Sequence, residues 1–483
     1  MANSFYFNMY SMLPIWAQNV CCSFAGIGMH KNRYNHTFRN FSQFIEQSDW
    51  WTLDQLQEYQ NEQVAALIKY VYTNVPYYHR IMRERKLTPH NIQTVNDLHK
   101  LPILTKSHIR KYGKELLSRS FSLRQCVQGH TGGTTGTALQ LYYDKNTQPR
   151  QWAVWWRHRK RFGLKLDDEF IVFAGRSVIP LSNMNPPFWR RNISMHQTYV
   201  SIHHMTQKNM PALCEYLCSR QVTYYSGYPS AVYLVAKYLY DNHIQLPHPP
   251  KVIVLGAETL LPHQKEMMQL AFGNIQVTDQ YGASEQCGNI SDCGHGYYHV
   301  DMEFGAIEFL PIEGLPPNTR RIICTGFWNR AMPLIRYDIG DIATLPEKPL
   351  ICSCGRHSPL VEKIDGRIES YIITPDGRQA GRLDFLFKES NNIEEAQLIQ
   401  TDPSFVTVKI VKGSKYSSID EKILINELRH YLGEVIQYKF EYVQEIPRAA
   451  NGKFRQIVSS ILPKQSVYYL GNGIDVTRED ISD

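Results

Sequence analysis

Apolar residues recur at three- and four-residue intervals through LDQLQEYQNEQVAALIKYVYTNV, residues 53–75, and less regularly over 37–120, which predicts a largely helical segment. From about 125 to 345 the pattern changes. Short apolar runs, EFIVFAG (169–175), KVIVLGAE (251–258) and NIQVTDQYGASE (274–285), read as buried strands that end in turns. Amphipathic stretches near 207–219, 229–243 and 262–272 lie between them. Such alternation predicts an α/β domain with helices packed on sheets. The texture shifts again near Gly366. Beyond it FVTVKIVKG alternates as a half-exposed strand, IDEKILINELRHYLG reads as a helix and YKFEYVQEIP as another strand. The expected division is a large domain over 1–366 and a small α+β domain over 367–483, with a frayed polar end.

Bulk properties narrow the class. With 483 residues, 43% of them hydrophobic, the chain can bury a large core in more than one domain. The net charge of +7 is modest and mostly scattered, and no nucleic-acid-binding motif occurs, so nucleic acid is not an expected partner. One basic run, Arg157-His158-Arg159-Lys160-Arg161, reads as a solvated helix face, with phosphate or an acidic membrane surface as alternatives. No stretch of about 20 apolar residues predicts a spanning helix. The opening MANSFYFNMYSMLPIWAQNVCCSFAGIGM lacks a basic n-region, so a cytoplasmic protein is expected; its aromatic and Met residues leave weak peripheral membrane contact open. The 10 cysteines suggest no disulfide framework. Oligomeric state is not legible.

The candidate chemistry begins at GHTGGTTGTALQLYYD, Gly129 to Asp144. Such a stretch offers backbone N–H groups and hydroxyls to an anion, or it is a flexible turn. It is not a Walker loop, because Gly136 is followed by Thr137-Ala138 rather than by Lys and Ser or Thr. Four further stretches follow: Tyr281-Gly282-Ala283-Ser284-Glu285, Arg336-Tyr337-Asp338-Ile339-Gly340-Asp341, Asp365-Gly366-Arg367-Ile368-Glu369, and Arg448-Ala449-Ala450-Asn451-Gly452-Lys453-Phe454-Arg455.

In this order and spacing they resemble the adenylate-forming superfamily of acyl- and aryl-coenzyme A ligases, from about residue 45 to 460. Tyr225-Ser226-Gly227-Tyr228-Pro229-Ser230 and Cys352-Ser353-Cys354-Gly355-Arg356 resemble its phenylacetate–coenzyme A ligase branch and the CapK-like capsule-biosynthesis relatives. The resemblance implies a large multi-sheet N-terminal adenylate-forming domain, a small mobile α+β C-terminal domain, and activation of a small-molecule carboxylic acid by ATP and Mg²⁺. It implies that Thr131, Gly132, Gly133, Thr134, Thr135 and Gly136 close over the phosphates. By the same resemblance Tyr281 packs on adenine, with Gly282 also in the cofactor site, opposite a wall of Gly256, Ala257 and Glu258. Ser284 donates to the α-phosphate, Glu285 holds Mg²⁺, Asp341 accepts the ribose hydroxyls with Arg367 beside it, and Lys453 reaches the α-phosphate. Glu369 falls at the hinge, where relatives often carry Asp or Lys, and Ala138-Leu139 stand where many members have Pro-Lys.

Cys293, His299, Cys352 and Cys354, with Cys287 and His295 in reserve, form a plausible tetrahedral zinc set. Similar cysteines in this branch accompany structural zinc; reduced, metal-free thiols are the alternative. The acyl pocket is expected from residues 175–189 and 226–230 with Tyr224, Tyr225 and Phe188, and His203-His204 near the carboxylate or simply in the core or at the surface. Coenzyme A is the expected acyl acceptor. An amine or hydroxyl on a sugar or carrier is the alternative, and a non-catalytic ATP-binding scaffold is a third reading.

Overall fold

A computed structural model of the chain describes residues 7, 9–130, 139–176, 178–180, 183, 185–206, 208–313, 315–367, 371–375, 379–381, 392–413, 415–432, 435–448 and 454–461. The chain divides into two compact units, Met1–Ile368 with Arg448–Phe454, and Glu369–Pro447 with Arg455–Asp483.

The first unit opens on helices α1 (Ile15–Arg33), α2 (His36–Ser48), α3 (Leu53–Asn74), α4 (Pro76–Glu84) and α5 (Lys106–Leu116). Capping residues set their starts. Asn35 accepts from the Phe38 amide at α2, and Thr52 and Gln55 form a capping box at α3. α3 buries Leu56, Val64, Leu67, Ile68 and Val71 at the spacing that its sequence shows.

A hairpin, β1 (Val127–His130) and β2 (Gln140–Tyr143), then flanks the Gly/Thr stretch, whose residues 131–138 lie outside the described residues. After α6 (Thr147–Arg161) come β3 (Phe170–Ala174), β4 (Trp189–Asn192), β5 (Gln197–Ser201), α7 (Met210–Cys218), β6 (Tyr224–Gly227), α8 (Pro229–Asp241), β7 (Val252–Gly256), α9 (Pro262–Phe272) and β8 (Gln276–Gly282). The three apolar runs thus fold as β3, β7 and β8, and the three amphipathic stretches as α7, α8 and α9. Antiparallel β9 (Asn289–Asp292) and β10 (Tyr298–Val300) extend the sheet. A second, antiparallel sheet of order β11-β12-β13-β15 uses β11 (Gly305–Pro311), β12 (Thr319–Gly326), β13 (Tyr337–Thr344) and β15 (Lys363–Arg367), after the short β14 (Leu360–Val361). The large sheet has the order β14-β10-β9-β8-β7-β6-β3-β5-β4, and its centre, β5-β3-β6-β7-β8, is parallel. Helices on its faces pack against the apolar residues of β3, β6 and β7.

The second unit contains β16 (Tyr371–Ile373), β17 (Gln379–Gly381), β18 (Ile393–Asp402), β19 (Phe405–Lys412), α10 (Ser418–Leu432), β20 (Gln437–Tyr442) and β21 (Ile457–Ser459). Val406, Val408 and Ile410 alternate inward from β19 onto Leu424, Leu428 and Leu432 of α10. The alternation and the helical spacing in the sequence therefore describe the two halves of one small core.

The basic run departs from its expectation at three positions, while Lys160 stays exposed. Arg157 and His158 are buried, and the Arg161 side chain is only 7% exposed. Arg157 Nη1 donates to Glu303 Oε1 at 2.6 Å and Nη2 to Asp301 Oδ1 at 2.7 Å. Arg161 Nη2 meets Asp49 Oδ1 at 2.5 Å, and Arg356 Nε meets Asp49 Oδ2 at 2.8 Å. Three guanidinium groups thus balance three carboxylates where α2, α6 and the β10–β11 connection converge. Burial alone would raise the Asp49 and Glu303 carboxyls, but the arginines outweigh it and hold both below their ordinary values.

Arg157→Leu is expected to lower the unfolding free energy by about 3–5 kcal/mol, because it leaves buried carboxylates unpaired. Arg157→Lys keeps the charge without the fork and should lose less. Denaturant melts check both. Since the two carboxyls are held low, their stabilisation is present above about pH 4 and lost as pH falls through their folded values. The acid limb of the stability profile should therefore be shallower in Arg157→Leu.

Candidate active site and metal centre

The parallel strands end at Gly227, Gly256 and Gly282, and in open α/β sheets ligands bind beyond such carboxyl ends. Tyr281, near the end of β8, donates its hydroxyl to Asp341 Oδ2 of β13 at 2.7 Å. Burial and the facing carboxylate both hold that phenol protonated. Asp341 is itself buried and lies in register with Arg367 on β15. Gly366 beside it adopts φ +87°, and a Cβ there would meet Thr259 Oγ1 at 3.0 Å, so β15 passes close to the segment after β7.

Glu285 is buried, with Oε1 accepting from the Tyr337 hydroxyl at 3.0 Å. A carboxylate fixed in this way at the sheet end suits a hard divalent cation. Ser284 is exposed, while its carbonyl accepts from the Tyr143 hydroxyl of β2. The base of the Gly/Thr hairpin is therefore tied to the Tyr281–Glu285 turn. Gly129 on β1 serves the same approach, for a Cβ there would sit 2.4 Å from the Tyr143 ring.

Gly256, Ala257 and Glu258 leave the end of β7 through Ala257 at φ +69°. Glu258 receives two amides, Ser230 N at 3.1 Å and Phe454 N at 2.9 Å. Phe454 belongs to the Arg448–Phe454 stretch that groups with the first unit, and Arg448 stacks on its ring. Thr131, Gly132, Gly133, Thr134, Thr135, Gly136, Glu369 and Lys453 lie outside the described residues.

The acyl-pocket expectation is corrected in part. Tyr224 stacks on Phe170 at 4.5 Å between ring centroids, and Tyr225 packs against Phe173 and Phe272, so both belong to the core of the sheet rather than to a pocket wall. His204 is buried against Phe188, with Nδ1 2.7 Å from Ser201 Oγ, which is the core alternative for this histidine.

Cys293, His299, Cys352 and Cys354 converge so that their ligand atoms all lie within 4.8 Å of one another. Cys293 Sγ and Cys352 Sγ are 3.7 Å apart, and Cys354 Sγ and His299 Nε2 3.2 Å. A tetrahedral ion with metal–sulfur bonds of about 2.3 Å separates two thiolates by about 3.8 Å, so the set fits such an ion. His299 Nδ1 lies 3.1 Å from the Ser358 carbonyl, which requires a proton on Nδ1 and leaves Nε2 bare towards the sulfurs. Burial lowers the His299 ring to about 4, keeping it neutral and able to ligate. Four protein donors would leave no open position, so an ion held there would be structural in kind. The reserves do not take part: Cys287 is buried beside Cys324, and His295 Nδ1 lies 3.3 Å from Ser353 Oγ.

The roles of Tyr143, Tyr337 and the Asp49–Arg356 pair were missed by sequence reading. Tyr143, Tyr337 and Arg356 fall within the candidate stretches, but nothing in those stretches marks their partners, and Asp49 lies in none of them.

Residues 372–460 match the family model described as the CapK C-terminal domain. Over 464 residues the chain is 26% identical to protein CapK of Staphylococcus aureus, covering 94% of this chain and 99% of that protein. It is 24% identical over 355 residues to phenylacetate-coenzyme A ligase of Thermus thermophilus, covering 66% and 72%. Among solved structures, 2-hydroxyisobutyryl-CoA ligase in the postadenylation state with 2-HIB-AMP superposes with a TM-score of 0.66 at 14% identity, over 86% of this chain and 91% of that one. The fold is that of the adenylate-forming ligases.

Metal analysis of protein purified without chelator is expected to find about one ion per chain. Cys352→Ser and Cys354→Ser should lose the ion and melt several degrees lower, as should wild type after chelation. Cys126→Ser, remote from the set, should do neither.

Proposed function

We propose that this chain, similar to CapK over nearly its whole length and built on the adenylate-forming ligase fold, is an ATP-dependent, AMP-forming acid ligase. The observation that carries the reading is the convergence of Tyr281, Asp341 and Glu285 at the carboxyl end of the parallel sheet, each from a stretch that the resemblance picks out.

In this reading the substrate carboxylate attacks the α-phosphorus of ATP. An acyl–oxygen–phosphorus bond forms, the bond to the β-phosphate breaks, and pyrophosphate leaves. Tyr281 and Gly282 pack on adenine, opposite Gly256 and Ala257. Asp341 turns from the Tyr281 hydroxyl to the ribose hydroxyls, and Arg367 sits beside it. Glu258, already holding two amides, acts as a support of that wall rather than as a nucleotide contact. Residues 131–136 surround the β- and γ-phosphates, and their hairpin base is tied to Ser284 through Tyr143. Mg²⁺ held at Glu285 would spread phosphate charge. Lys453 supplies a cation to the α-phosphate and the incoming carboxylate. Zinc is the ion that we assign to Cys293, His299, Cys352 and Cys354.

For the acceptor, coenzyme A is the first assignment. The similarity to CapK over 94% of this chain, against 66% for the phenylacetate ligase, favours a second reading: transfer to an amine or hydroxyl on a sugar or carrier of a surface polysaccharide. A cytoplasmic location accords with both; among the described residues no helix is long and apolar enough to cross a membrane.

Carboxylate-dependent ATP–pyrophosphate exchange tests the reading with a panel of aryl, fatty and amino acids. Exchange is expected with at least one acid and should fall by about a hundredfold or more in Lys453→Ala. ATP binding without exchange for any acid would move the assignment to a nucleotide-binding scaffold. Saturable, coenzyme A-dependent release of AMP selects the first acceptor, and its absence the second.

A further inference from the structure

Helix α1 is assembled the opposite way round from a soluble surface helix, which turns its apolar stripe inward. α1 attaches to the edge strand β4 and the turn after it through polar and small residues. Gln18 Oε1 accepts from Arg190 Nε at 2.6 Å, Asn19 Oδ1 from Arg191 N at 2.9 Å and Ser23 Oγ from Ile193 N at 3.1 Å. Gly26 lies against Asn192, whose Oδ1 would be 2.1 Å from a Cβ at that position. The opposite face is apolar. Leu13, Trp16, Val20, Phe24 and Ile27 follow one another at three- and four-residue steps and all are exposed, Trp16 by 70% and Phe24 by 69%. Ile193, joined to Ser23 through its amide, adds a further exposed apolar side chain at 66%. An apolar face of this extent, held outward by a polar docking surface, marks an interaction site.

Charge selects the occupant. Residues 1–45 contain no Asp or Glu, while Lys31, Arg33 and Arg39 lie among them. Lys31 falls four residues after Ile27, on the line of the apolar stripe, and is exposed. Arg176, also exposed, reaches Met29 on α1, and Glu169 beside β4 is paired with Arg191. A second copy of the chain could cover the apolar face, yet its own first 45 residues would bring no acid to these cations. A bilayer that carries anionic headgroups meets both the stripe and the cations. Trp16 suits the same place, its ring being apolar with one polar edge.

We infer that α1 is a membrane-surface anchor, lying in the plane of an anionic lipid bilayer with Trp16, Val20, Phe24 and Ile27 in the acyl boundary and Lys31 at the headgroups. The inference is independent of the chemistry assigned to the sheet end.

Flotation of the full chain with vesicles tests it, using phosphatidylcholine alone and three parts phosphatidylcholine to one of phosphatidylglycerol. The wild type should float with the anionic vesicles, less with the neutral ones, and less in high salt. The double change Trp16→Ser with Phe24→Ser should weaken partitioning at least tenfold while circular dichroism and melting temperature stay at wild-type values. Lys31→Glu, a single exposed change, should remove the preference for phosphatidylglycerol and keeps the test valid if the double variant folds poorly. Absence of flotation in the wild type would overturn the proposal. So would flotation that the substitutions leave unchanged, or a dimer in sedimentation velocity that the double change dissociates.

Discussion

Much of the first unit hangs on the way one buried guanidinium is satisfied. Arg157 reaches out from α6 to Glu303 and Asp301, and takes the Ile45 carbonyl at the end of α2 as well. The chain carrying those two acids is the bridge from the large sheet to the antiparallel one. It is pinned from every side: Ser48 donates to Glu303, Asn289 and Ser291 of β9 donate to Asp301, and Gln60 of α3 donates to the Met302 and Gly305 carbonyls. A charge taken out of water is tolerated only when its hydrogen bonds are complete, so these elements can assemble in one arrangement only.

Two consequences reach the functional regions. Through Asp49 the same network holds Arg356, and so the Cys-x-Cys loop that supplies half of the metal set. Through the bridge it sets the start of β11, and with it the sheet whose β13 presents Tyr337 and Asp341 to β8. The hydroxyls of Tyr143, Tyr281 and Tyr337 then cross between elements to Ser284, Asp341 and Glu285. Neutral phenols suit this work: they fix acceptors in place without adding charge.

Legibility in the sequence followed the range of the interaction. Periodicity marked β3, β7, β8, α7, α8, α9, β19 and α10, because each pattern is a local record of which side is buried. The resemblance brought forward the Tyr281, Asp341 and Cys/His positions, which the fold does gather. It could not separate core from pocket at Tyr224 and Tyr225, since a buried aromatic looks the same in either setting. Nor could Arg157 and Arg161 be read as buried, for their partners Asp49, Asp301 and Glu303 lie more than a hundred residues away.

By itself the sequence determined the alternation of helices and strands, which rests on periodicity; the stretches it carries resemble a family and so named candidate residues without placing them. Tertiary structure alone decided which carboxylates neutralise the arginines, which phenol holds which acceptor, and which four of six Cys and His residues converge. It also decided that the apolar stripe of α1 faces outward. A stripe records only that one face differs from another; which face is buried depends on what the rest of the chain places against it.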